Sequence, residues 1–168
     1  MSTQSLTSAF LEELRREVPS TRKCLERITA DKFSFKPHET SMEMKYLALL
    51  VAEIPQWIHY MVTEGEIDFA TYPQFDFKTT DELLSHFEQC VRKAEIALEN
   101  ADDAILGNKF TLKRNGEDLY TSPLILDIPT TMNHWIHHRG QLTVYMRMCG
   151  IAVPSIYGPS GDDKDFNA

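Results

Sequence analysis

The sequence predicts an all-α fold, an antiparallel four-helix bundle with a long aromatic loop and a short β-hairpin inserted between its helices. Three observations point there. Four segments repeat apolar residues every three or four positions, as a helix with one buried face requires. The stretches between them are aperiodic and carry prolines, glycines and aromatic residues. At 168 residues the chain has the length of one domain, so residues 1–168 are read as a single unit with one core.

The first helix is expected from about Phe10 to Ile28, where Leu11, Leu14, Val18, Leu25 and Ile28 share a face and Glu12, Glu13, Arg15, Arg16 and Arg22 fall between them. The apolar stripe keeps its phase across Pro19, which predicts a kink rather than two helices. Residues 31–40, with Lys36-Pro37-His38, form a connection. Ser41 is the expected N-cap of the second helix, whose broad apolar face (Leu47, Leu50, Val51, Ile54, Trp57, Ile58, Met61) runs to about Thr63 with a bend at Pro55.

Residues 64–78 hold Phe69, Tyr72, Phe75 and Phe77 without a period, and are read as a long loop folded over the helices. The third helix starts with a capping box, Thr79 three residues before Glu82, ahead of Leu83, Leu84, Phe87, Val91, Ala94 and Leu98, and should end near Ala101. Asn115-Gly116 joins two β-prone runs, 109–112 and 119–121, as a tight hairpin turn can. The last helix begins at Pro123 or Pro129 and ends at Cys149, closed by Gly150. A mid-helix glycine is costly, so Gly140 predicts a close approach by backbone or ligand.

The charge balance narrows the function classes. With 25 acidic against 17 basic side chains the net charge is −8, and neither nucleic acid nor an anionic membrane finds the basic face it needs. No stretch is long and apolar enough to span a bilayer, and residues 1–8 lack the pattern of an export signal. Cys24, Cys90 and Cys149 are odd in number and far apart, which fits a reducing cytoplasm better than a disulfide framework.

Chemistry concentrates in the last helix. His38, His59, His86 and His137 stand singly and read as surface or capping groups. His134 and His138 lie one turn apart on one face, the spacing at which two imidazoles reach one divalent ion. The pair has a second reading, two bundle histidines bonded to polar neighbours. Position 135 is Trp, so the general-base glutamate of an H-E-x-x-H metalloprotease is missing. Gln141 and Tyr145 continue the polar line from His138 and are candidate supporting or substrate contacts.

The run from His134 through His-His-Arg-Gly-Gln to Arg147, followed by Gly150 and Val153-Pro-Ser-Ile-Tyr-Gly-Pro-Ser160, resembles the C-terminal signature of the DinB family, the damage-inducible, YfiT-like four-helix proteins. The resemblance extends back through Asp31–His38 and Leu47–Trp57. It implies a homodimeric bundle holding a divalent metal, zinc or nickel, on three histidines, one from the second helix and two from the last. The late two correspond to His134 and His138; Leu50 stands where the first is expected, with Glu53 three residues on as a candidate carboxylate. Position 50 should then face the pair.

Two functions follow from the resemblance. One is a divalent-metal-dependent enzyme of the thiol-transferase, isomerase or hydrolase type, acting on a small molecule or small thiol in a stress response. The other is a non-catalytic dimeric bundle that binds a small molecule or protein partner after loss of the metal site. The apolar stripes of the first and third helices are the expected dimer contacts.

Overall fold

The computed structural model describes residues 5–165; the expectation drawn from residues 1–4 lies outside that range. Four helices make the bundle: α1 (Leu6–Leu25), α2 (Met44–Thr63), α3 (Thr80–Glu99) and α4 (Leu124–Met148). Three strands are inserted, β1 (Glu66–Asp68) before α3, and β2 (Lys109–Arg114) and β3 (Glu117–Pro123) before α4. The fold expected from the periodicity is therefore present, with a sheet larger than the expected hairpin.

Where the boundaries moved, backbone hydrogen bonding explains it. α1 starts earlier than expected because Ser5 caps it through Ser8 N, while the Asp103 carboxylate takes the N–H groups of Leu6 and Thr7. Ser41 is not the cap of α2. That helix begins at Met44, after Glu43, because Phe35 and Phe33 carbonyls accept from Met44 N and Lys45 N and leave no role for a capping side chain. The capping box of α3 is formed as expected, Thr79 and Glu82 each accepting from the other's backbone N–H at 3.2 Å. α4 starts at Leu124 and carries Pro129 inside it.

Asn115 and Gly116 both take positive φ, 52° and 79°, which is what a two-residue turn between twisted strands demands. The loop after α2 was expected to be aperiodic throughout; its first residues instead form β1, which pairs in parallel with β2, Ile67 opposite Leu112. Asp68 fixes that pairing by accepting from Asn115 N and Gly116 N, and the N–H of Ala70 first, with those of Gly116 and Asn115, holds its carboxyl below the usual aspartate range.

The stripes of α1 and α3 that were expected to pair two copies are spent inside the chain. Leu14, Leu25, Leu83, Phe87 and Leu98 are all buried in the common core. Large exposed apolar side chains lie chiefly on α4 and the ribbon, among them Leu119, Leu126, Val144 and Met148. Pro55 sits inside α2 and cannot donate to the carbonyl of Val51; the indole Nε1 of Trp135 on α4 donates to that oxygen at 2.8 Å. Among the described residues no helix is long and apolar enough to cross a membrane.

Candidate functional site

α4 carries polar side chains where a bundle helix is expected to be apolar. Asp127, Thr131, His134 and His138 follow one another at steps of four, three and four, so they line a single stripe. Asp127 and Thr131 are buried and the two histidines half-buried. His134 and His138 come together as the spacing predicts, their Nε2 atoms 2.7 Å apart. The ring facing His134 from α2 is that of Trp57, at 5.4 Å between centroids.

Gln141 decides how the pair shares its protons. Its Oε1 can only accept, and it lies 2.7 Å from His138 Nδ1, so that nitrogen carries the hydrogen. A neutral His138 then offers a lone pair at Nε2, and His134 Nε2–H is the donor between the rings. Neutrality is favoured on both: burial pushes the His134 imidazole below its ordinary range, helped by His138 and His137, and burial does the same to His138 against the opposing pull of Gln141.

A metal held by three protein groups does not fit the donors present. His134 and His138 supply two imidazole nitrogens at most. Leu50 offers no donor, and it borders a separate small cavity with Glu53, Tyr72 and Phe75. Glu53 is engaged elsewhere: its Oε1 lies 2.9 Å from His86 Nε2 on α3, with Phe75 stacked on the imidazole at 3.7 Å. Among the described residues no three His, Cys, Asp or Glu side chains converge on a point that could hold an ion. Catalytic zinc sites normally keep three protein ligands.

Beside His134 lies a cavity of about 270 Å³ between α2, α4 and the three-stranded ribbon. Trp57, Met61, Phe69, Phe110 and Leu112 give it largely apolar walls, and Phe69 comes from the aromatic segment that was expected to fold over the helices. Its polar wall is Tyr120, Asp127, Thr130, Thr131 and His134. The Tyr120 hydroxyl donates to Asp127 Oδ1 at 2.8 Å.

Other expected contacts are not formed. Tyr145 turns into the core and packs edge-on against Phe35, away from the histidine pair. A side chain added at Gly140 would meet open space, so neither backbone nor a neighbouring side chain crowds that position. Cys90 is fully buried, and burial raises its thiol to about 12, which removes it as a nucleophile.

Two residues escaped sequence reasoning. Asp127 reads as an ordinary first-turn acid, and its only sequence signal is that it falls on the stripe of His134 and His138. Arg139 reads as surface charge within a polar run, yet it is 2% exposed. It donates to Glu17 O, Thr21 Oγ1 and Tyr157 Oη, and pairs with Glu17 Oε2 at 2.6 Å.

Comparison with known proteins agrees with this architecture. The DinB family description matches residues 1–165. The chain is 27% identical over 130 residues to the uncharacterized protein YjoA of Bacillus subtilis (strain 168), an alignment covering 77% of this chain and 82% of that protein. A shorter match to the uncharacterized protein YrdA of the same organism is 53% identical over 32 residues, 19% of either chain. Among solved structures, the DinB-like YjoA superimposes with a TM-score of 0.69 at 24% identity, covering 86% of this chain and 94% of that one. A DinB-like protein from Bacillus cereus ATCC 10987 gives 0.70 at 22% identity, over 92% and 99%.

Proposed function

The chain belongs to the DinB family, and from that premise we propose that it binds a small, largely apolar molecule in the cavity between α2, α4 and the ribbon, without a three-histidine metal centre. The observation that carries this reading is the cavity itself, about 270 Å³ with apolar walls, ending on half of a neutral, mutually bonded imidazole pair. A neutral imidazole can both donate and accept, so His134 supplies orientation for one polar group of the ligand while the aromatic walls supply burial.

One observation favours the other reading, metal-assisted chemistry on a small thiol or similar substrate. Gln141 engages His138 Nδ1 and leaves its Nε2 lone pair toward His134, the support that ligating histidines commonly receive. A substrate would then have to complete the coordination that position 50 does not.

Calorimetric titration of tag-free protein with zinc and nickel separates the two. The ligand-binding reading expects weak binding of either ion; tight, stoichiometric binding that is lost in His134→Ala would overturn it. A homodimer is also proposed, through the outer side of α4, where Leu126, Val144 and Met148 share a stripe with the uncrowded Gly140. Light scattering should give twice the 19.3 kDa chain mass.

A further inference from the structure

The cavity wall contains one group whose bonding is incomplete. Asp127 is 3% exposed, one of its oxygens accepts from Tyr120, and the other, Oδ2, is buried with no hydrogen-bond partner. Buried acceptors are nearly always paired, because an unpaired one loses its water and gains nothing in return. Asp127 lies in the first turn of α4, where the helix dipole favours a negative group, and that accounts for the residue type but not for the unpaired oxygen.

The surroundings say what is missing. No lysine or arginine is among the described residues that line the cavity, so the protein brings no cation to this carboxylate. Trp57, Phe69, Phe110 and Tyr120 offer aromatic faces, which attract a positive charge as well as an apolar ring. The volume equals roughly nine waters at ~30 Å³ each, enough for one ring and a short chain.

Resting on the reading that this cavity is a ligand site, we propose that its ligand is a small aromatic or aliphatic amine whose ammonium group donates to Asp127 Oδ2. Oδ2 has almost no exposed surface as it stands, so binding requires the carboxylate to turn about its soft χ2 torsion toward the donor, with the half-exposed Tyr120 moving with it. The apolar body of the amine fills the space between Trp57 and Phe110, and His134 closes the far end.

Phenethylamine and propylbenzene, which differ only by an ammonium in place of a methyl, test this by calorimetry. The wild type is expected to bind the amine at least about tenfold more tightly. Asp127→Asn should erase that preference, bringing the two probes to equal affinity. Tyr120→Phe, which removes the hydroxyl competing for the same carboxylate, should keep or increase it. Equal binding of the two probes by the wild type, or a preference that survives Asp127→Asn, would overturn the amine and leave the cavity reading standing. A preference lost in Tyr120→Phe would assign recognition to the hydroxyl and overturn it too. If neither probe bound, the cavity reading itself would fall, and the amine with it.

Discussion

His138 and Arg139 are neighbours on α4, yet they sit in opposite kinds of surroundings. Arg139 points to α1 and the C-terminal tail, where Glu17, Thr21 and Tyr157 engage both its terminal nitrogens, with the guanidinium also over the Tyr157 ring at 5.4 Å. His138 has Gln141 on one side and His134 on the other, and the stripe it belongs to ends at an aspartate with an unused oxygen. A polar group whose partners all come from the chain holds the fold together. Along the histidine stripe the partners run short only at Asp127 Oδ2, the oxygen to which the proposed ligand would donate.

The largest effect should come from breaking the complete side. Arg139→Ala leaves Glu17 buried without its cation, and removing one member of a buried pair costs about 3–5 kcal/mol. Urea denaturation should show that loss. The double variant Glu17→Leu, Arg139→Met should recover most of it, because two well-packed apolar residues need no partner. Failure of the double variant to recover stability would mean that the network does more than satisfy itself.

A smaller effect should come from completing the other side. Leu50→His tests whether position 50 reaches the histidine pair: if it does, a third imidazole should raise zinc affinity by about a hundredfold over the wild type, or ~2.8 kcal/mol at ~1.4 kcal/mol per decade. Calorimetry showing no gain would indicate that position 50 does not reach the pair in solution.

The smallest effect is with pH. Burial lowers the folded-state pKa of both His134 and His138 below the ordinary 6.5, so the unfolded chain binds protons more readily than the native one. Their contribution is therefore complete above pH 6.5 and is lost as pH falls through the folded pKa values. Stability of the wild type should decline from pH 7 to 5 more steeply than that of His134→Gln, His138→Gln. Parallel profiles would show that the rings do not titrate with folding.

The helices were legible because their signals are local. Thr79 and Glu82 cap α3 through atoms three residues apart, and Asn115-Gly116 sets its turn with two dihedral angles. His134 and His138 meet because helical geometry alone brings them together. β1 was not legible, since Glu66-Ile67-Asp68 is too short to show alternation and its partner lies in a strand beyond α3. Ser41 looked like a cap because the carbonyls that replace it, from Phe33 and Phe35, are set by how the preceding connection folds. Arg139 and Glu17 carry no mark of burial in a sequence where charged residues are common; only the packing of α1 against α4 reveals it. The same holds for Asp127, whose meaning depends on a ribbon tyrosine and the cavity beside it.

Pro55 and Trp135 make a pair of a different sort. The proline withholds one amide hydrogen, and a single buried carbonyl in α2 is left to be answered by a single indole in α4. Sliding α4 by one turn along α2 would strand the Val51 oxygen and the Trp135 N–H together, each at about 1–3 kcal/mol. Mis-threaded arrangements of the bundle are thus penalised twice, while the native alignment incurs neither cost. An absent hydrogen in one helix thereby acts as an address for another, and the imidazole next to that indole inherits its position from it.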